Sequence, residues 1–219
     1  MNQASVGGFW FLDEGYGNSV QDRSGNDNDG EIRSKGNNPI IWVPCSDRTC
    51  LRFHISKNHG QTVEIRDDST LRPENALTAE AWVDPDSGSD SLIVGKIQKN
   101  QKDGFGIGIS SDRWYGQISM QDRTYHELTG DNIHLDQWSY LVITYDNSTF
   151  RIYLDGVQMN SMQLSGEILS EDVPVYIGSE SDQDWYFEGY IANVGIWGHA
   201  FTPEEVAARY DSWQPAKCP

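Results

Sequence analysis

The sequence predicts an all-β fold, a two-sheet antiparallel sandwich with one short C-terminal helix. Three observations carry that expectation. Short runs of β-branched and aromatic residues recur along the chain between clusters of Gly, Asn and Asp, as in sandwiches built from many strands. Helical spacing is nearly absent outside one C-terminal segment. Eight Trp, ten Tyr and seven Phe among 219 residues give each buried side chain a large area, enough for the core of one large domain.

The strand-like segments follow in order. "GFWFL" (8–12) comes first, then a polar stretch, "DRSGNDNDG" (22–30), and the short runs "IIWV", "LRFH", "TVEIR" and "TAEAWV" between residues 40 and 83. "SLIVGKI", "FGIGIS", "WYGQISM" and "YHEL" occupy 91–128. "WSYLVITY" and "TFRIYL" flank an Asp146-Asn147 corner, and Asp155-Gly156 supplies the positive φ of a tight return, so three successive antiparallel strands are expected. "VPVYIG" and "YIANVGIW" complete the set. Thr202-Pro203-Glu204-Glu205 places a capping hydroxyl, a first-turn proline and an acidic third residue before "VAARYDSW", which marks the helix. The expected organisation is one domain over 1–212, with 213–219 as a tail or linker.

A net charge of −17 repels phosphate backbones and anionic lipid, so nucleic acid and membrane surfaces are excluded as first partners. No apolar run of 18 residues occurs, and the first residues lack a basic start followed by an apolar stretch. Neither membrane insertion nor an export signal within this chain is expected. Cys45 and Cys50 enclose "SDRT", a spacing that a tight β-connection can close into a disulfide, pointing to an oxidising compartment. Two thiols on a loop are the alternative. Cys218, in "SWQPAKCP", is left over by arithmetic.

Read together, "FWFLDEGYGNSVQDRSGNDNDGEI", "LRFHISKNHGQTVEI", "LTAEAWVDP", "LIVGKI", "WSYLVITYDNSTFRIYLDGV", "VPVYIGS" and "FEGYIANVGIWGHAFTPEEVAARY" resemble, in this order, the laminin G-like domains of the concanavalin A-like lectin/glucanase superfamily. The resemblance covers roughly Gly8 to Tyr210. It implies a jelly-roll β-sandwich with one face and its rim loops open to a ligand. It implies no single function, because the fold serves sugar binding, protein adhesion and catalysis.

The polar stretch at 22–30 has two readings. Asp22, Asn26, Asn28 and Asp29, with Gly25 and Gly30, offer the converging oxygens that calcium needs; the same Asx residues also build consecutive turns by bonding their own backbone. An EF-hand is excluded, because Gly25 and Gly36 stand where acidic ligands are required. The resemblance implies a structural calcium on Asp22, Asn26 and Asn28, with Asn193 as the distant partner. Ala192 stands where a frequent Asp ligand is found in that strand.

A sugar site needs exposed rings beside hydrogen-bonding groups. Trp114, Tyr115 and Gln117, followed by Arg123, Tyr125 and His126, form the best cluster, and Tyr115, Gln117, Tyr125 and Glu127 can share one sheet face. Trp185 and Tyr186, after the acidic run "SESDQD", close the rim; Glu180, Asp182 and Asp184 are either ligand-facing or simply solvated. Lys96, Lys99 and Lys102 suit an anionic polysaccharide, although a run of lysines on a solvated hairpin is the commoner explanation. Trp82, Trp138, Tyr145 and Tyr153 are assigned to packing.

Catalysis is not expected. No nucleophile elbow, phosphate loop, dinucleotide fingerprint or zinc-protease pattern is present, and the alternating Glu-x-Asp-x-x-Glu strand of the superfamily's glucanases is missing. The expected function is a non-catalytic carbohydrate-binding module of an extracellular multidomain protein, its partners a polysaccharide and the other domains of the parent. A protein-binding adhesion module is the alternative, and a divergent hydrolase a third reading.

Overall fold

The computed structural model describes residues 6–34, 39–45, 48–55, 60–98, 103–180 and 185–215. In chain order the strands are β1 (Val6–Trp10), β2 (Ser19–Val20), β3 (Gly30–Ser34), β4 (Ile41–Cys45), β5 (Arg48–Phe53), β6 (Gln61–Ile65), β7 (Leu77–Pro85) and β8 (Ser91–Gln98). They continue as β9 (Asp103–Ser110), β10 (Arg113–Ser119), β11 (Tyr125–Asn132), β12 (Ser139–Tyr145), β13 (Thr149–Leu154), β14 (Val157–Gln163), β15 (Val175–Ile177) and β16 (Gly189–Trp197), followed by the helix α1 (Pro203–Ser212). All pairings are antiparallel. One sheet runs β14-β13-β12-β7-β16-β5-β4, with β1 also on β16; the other runs β11-β10-β9-β8-β15-β6-β3-β2. The expected two-sheet antiparallel sandwich with one short C-terminal helix is what forms.

Turn chemistry sets the local register. Asn147 (φ 63°) turns β12 into β13, and Asp155 (φ 50°) with Gly156 (φ 80°) turns β13 into β14, the left-handed pair that matches the twist of a hairpin. The three expected strands therefore lie side by side.

Strand alternation sorts the side chains. On β7, Leu77, Ala79, Ala81 and Val83 enter the main core, as do Leu141, Ile143 and Tyr145 on β12, meeting Phe105, Ile107 and Ile109 of β9 and Trp114 and Ile118 of β10 from the other sheet. Trp82 and Tyr140 take the outward positions and form a second buried layer under α1 with Trp138 and Tyr153. The four packing aromatics are all buried.

The helix covers this outer face because its sequence both starts it and glues it down. Thr202 accepts from the Glu205 backbone N–H while the Glu205 carboxylate accepts from the Thr202 N–H, a complete capping box. Tyr210 stacks on Trp82 with centroids 5.5 Å apart, and Trp82 stacks on Tyr140 at 5.3 Å. Beneath lies Glu80, a buried carboxylate that accepts from Nε and Nη2 of Arg209, the Tyr140 hydroxyl and Trp197 Nε1. One face of the sandwich is thus closed by the helix, and the outer face of β8–β11 lies on the other sheet.

The expected Cys45–Cys50 bridge does not form. Register pairs Cys45 with Arg48 and Cys50 with Val43, so the two cysteines sit two positions out of step on neighbouring strands. Cys50 is buried, and no bond joins it to Cys45. Cys218 lies outside the described residues.

Candidate functional site on the outer face of the second sheet

Strands β8 to β11 form successive hairpins, and their register writes two outward rows across the sheet. Glu127, Gln117, Gly106 and Gly95 make one; Thr129, Tyr115, Gly108 and Leu92 make the other. Both rows have glycine at their centre. A Cβ on Gly108 would lie 2.7 Å from Tyr115 Cε1, and one on Gly106 would lie 2.9 Å from Leu92 Cδ1 and 3.0 Å from Ile97 Cδ1. The missing side chains let Tyr115, Leu92 and Ile97 lie down over bare backbone, forming a small buried apolar cluster separate from the core.

Above that floor is a depression of about 130 Å³. Its walls are polar: Ser110, Gln117, Tyr125, Glu127 and Glu180 line it, and Trp185 stands at the rim. Trp185 is 44% exposed and holds a left-handed conformation, φ 53°, with its carbonyl anchored by the Leu92 N–H at 3.1 Å. The Tyr125 hydroxyl donates to Glu127 Oε2 at 2.5 Å and also faces Gln117 Oε1 at 3.5 Å. Burial drives the Tyr115 phenol far above its ordinary pKa, and Tyr125, Glu127, Glu180 and Asp90 add to the rise. Burial and then the hydrogen bond to Glu127 do the same for Tyr125. Both phenols are therefore protonated donors at any physiological pH.

The structure brings together Tyr115, Gln117, Tyr125 and Trp185 among the expected ligand residues, and Glu127 on the face predicted for it. It places the others elsewhere. Trp114 is fully buried in the main core, because adjacent strand residues point to opposite faces and Tyr115 takes the outward one. Lys96 is buried, its ammonium bound to the Asp67 carboxylate and the Val173 carbonyl. Arg123 pairs with Asp103 at 2.6 Å and Glu171 at 3.2 Å. His126 sits opposite Ile118, an inward residue, with Nε2 3.0 Å from Thr124 Oγ1. Tyr186 is packed against Gly60. Lys99, Lys102, Asp182 and Asp184 lie outside the described residues. Sequence reasoning missed the floor, although alternate glycines in "FGIGIS" were its signal.

The 22–30 loop is organised by hydrogen bonds. Asp22 Oδ1 accepts from the Phe9 and Ser24 N–H groups at 3.0 and 2.8 Å, and Oδ2 from Ser24 Oγ and the Asn28 N–H at 2.6 and 3.0 Å. A carboxylate has about four lone-pair sites, and these four donors use them. Asn26 and Asn28 turn their amide N–H groups on the Gly7 carbonyl, and Asn28 also bonds Thr70 Oγ1 at 2.9 Å. Asn193, at a bulge in β16 with φ 49°, instead offers its Oδ1 to Arg48 at 3.4 Å, beside Phe9, Phe11 and Trp213. The four expected calcium ligands do not present a common set of oxygens, so they do not fit the ion. Among the described residues no group of three or more His, Cys, Asp or Glu could hold a metal.

Known proteins share this architecture. Human pappalysin-1 is 27% identical over 168 residues, covering 67% of this chain but 10% of its own length. The zebrafish (Danio rerio) adhesion G-protein coupled receptor V1 is 23% identical over 176 residues, covering 74% of this chain and 3% of its own. Among solved structures, the binding domain of Paraclostridial Mosquitocidal Protein 1 superposes with a TM-score of 0.73 at 14% identity, covering 94% of this chain and 52% of that one, a likeness of fold. The chain thus spans a tenth or less of these curated relatives. No helix among the described residues is long and apolar enough to cross a membrane. A model of the laminin G 3 family, described as concanavalin A-like lectin/glucanases superfamily, matches residues 56–207, and the chain belongs to that family.

Proposed function

We propose that this chain is a non-catalytic carbohydrate-binding module that holds its ligand on the outer face of β8–β11, within an extracellular multidomain protein. The observation that carries the reading is the glycine-floored depression: Tyr115, Leu92 and Ile97 beneath, Trp185 at the rim, and hydroxyl, amide and carboxylate groups around. A pyranose presents apolar C–H faces and a ring of hydroxyls, the complement of that arrangement. Pockets that enclose a whole ligand run to about 300–1,000 Å³. At about 130 Å³ this one suits a single sugar ring, with the rest of the polymer crossing the open sheet.

The non-catalytic part rests on the strands themselves. Of the two carboxylates that line the depression, Glu127 stands on β11 and Glu180 lies outside the strands, so no single strand carries both a nucleophile and an acid as alternating residues. Isothermal titration against a panel of neutral and charged oligosaccharides tests the proposal. Binding that Trp185→Ala and Tyr115→Ala abolish, without release of reducing ends, is the expected result. An exposed Trp185 and the adhesion receptor among the relatives favour a second reading, a protein-binding module. A panel without a single binder, with capture of a surface protein blocked by Trp185→Ala, would select that reading.

A further inference from the structure

The stretch between β16 and α1 carries a histidine that takes no part in the depression. Its backbone is pinned to β7: the His199 carbonyl accepts from Thr78 Oγ1 at 2.8 Å, and the Phe201 N–H donates to the same oxygen at 2.9 Å. The imidazole meets two aromatic rings edge to face, with centroids 5.8 Å from Trp197 and 5.0 Å from Phe201. Its Nδ1 is buried and has no hydrogen-bond partner among the described residues. Native folds leave few buried polar atoms unpaired, and each calls for a reason. With Nδ1 a bare acceptor, the ring is the neutral tautomer that carries its proton on Nε2.

A second proton, on Nδ1, would put a charged N–H where no acceptor stands, at a greater cost than an unpaired neutral group. The rings beside His199 already hold a cation: the Arg209 guanidinium lies 4.8 Å from the Trp197 centroid and 5.0 Å from that of Phe201. The charged groups that face the imidazole are Glu205 and Arg209 from α1 and Glu80 from β7. Both acids are engaged, Glu80 by Arg209, Tyr140 and Trp197, and Glu205 by the Thr202 N–H. Burial is the largest influence on the imidazole; with Arg209 it outweighs Glu205 and Glu80 and lowers the pKa from the ordinary 6.5. We propose that His199 is a proton-operated latch for α1: neutral, it lets the linker and helix seat on the second buried layer; protonated, it turns out to water and unseats them. The helix follows the last strand and belongs to neither sheet, so it can lift without breaking a strand pairing. What acid uncovers is the layer of Trp82 and Tyr140, on which Tyr210 stacks. The folded pKa lies below the unfolded one, so the seating of α1 is complete above about pH 6.5 and is lost as pH falls through the folded value. The latch stands independently of the carbohydrate reading, whose depression lies on the other sheet.

Hydrogen–deuterium exchange of the full chain, read by mass spectrometry from pH 8 to pH 5, roughly the span over which histidine titrates, is the test. Exchange is followed in α1 (Pro203–Ser212) and in β7 (Leu77–Pro85), and corrected for the intrinsic pH dependence of amide exchange. The parent protein is compared with His199→Gln and His199→Phe, neither of which titrates, and with His134→Gln, which removes an exposed histidine outside the linker. Gln keeps a polar group at the position and Phe an aromatic ring, so a folding defect in one leaves the other. The expected result is that protection of α1 falls by up to about tenfold per pH unit below the His199 pKa, while that of β7 holds. Both His199 variants keep the protection of α1 level across the range, and His134→Gln follows the parent. A proton NMR titration of the His199 ring in the parent protein gives a midpoint below 6.5.

Each other outcome overturns the latch. Protection of α1 that stays level in the parent protein ends it outright. A pH dependence that survives in the His199 variants assigns the titration to another group. Loss of protection in β7 together with α1 means that acid weakens the whole sandwich and not the seat of the helix. An imidazole midpoint at or above 6.5 removes the cause of the release, because the folded state would then hold the proton as readily as the unfolded one.

Discussion

Gly108 shows how much one absent side chain contributes. Its space is taken by the Tyr115 ring on one side and the Ser91 carbonyl on the other, and backbone cannot move aside as a rotamer can. Gly108→Ala is expected to cost about 1–3 kcal/mol, read as a lower urea midpoint, and to displace Tyr115, so ligand affinity falls even in the folded fraction. Asp22 makes the complementary case for a side chain that is present. Asp22→Ala strands the Phe9, Ser24 and Asn28 donors and should destabilise by about 2–4 kcal/mol, since each partly buried orphan costs about 1 kcal/mol or more. Chelator is expected to leave the Tm of the parent protein unchanged, because these donors already fill the carboxylate. A chelator-induced fall in Tm would show that an ion shares the loop.

Among the elements, the hairpins and the helix were legible because their signals are local. Asp155-Gly156 and the Thr202 capping box each fix a few dihedrals by the chemistry of adjacent residues. The β12–β13 corner adds a pH dependence. Burial opposes the charge on Asp146, but hydrogen bonds from Ser148, Arg151 and the Thr149 and Ser148 N–H groups prevail and hold its pKa at about 2, below the ordinary 3.8 of an aspartate. The folded value lies below the unfolded one, so the stabilisation is complete above about pH 4 and is lost as pH falls through about 2. Asp146 is 35% exposed, so solvent screening reduces this to roughly 1 kcal/mol. Asp146→Asn should flatten that part of an acid-unfolding profile. At α1, Arg209→Leu leaves the buried Glu80 charge without its main partner and should cost about 3–5 kcal/mol, whereas Thr202→Ala should cost about 1 kcal/mol. Urea denaturation separates the two.

At the scale of the molecule, the sandwich and most of its site strands could be read from period and punctuation, while the partners across strands could not. The aromatic pair Trp114-Tyr115 drew attention as a unit, yet register sends one ring to the core and the other to the depression. Lys96 and Arg123 appeared as free bases because their carboxylates, Asp67 and Asp103, are 29 and 20 residues away in sequence. The loop's partners were hidden for the same reason: Asn193 lies far from the loop in sequence, and in the fold its Oδ1 faces Arg48. The last strand carries a different lesson. β16 lies between β7 on one side and, on the other, β5 along its first residues and β1 along its final ones. During synthesis the four hairpin strands of the candidate site can assemble soon after they emerge, but the sheet that holds the N-terminal strand has a gap at its centre until residue 197 has left the ribosome. A nascent chain arrested before that point exposes three unpaired strand edges, and for this protein the window of aggregation risk closes only with the final strand.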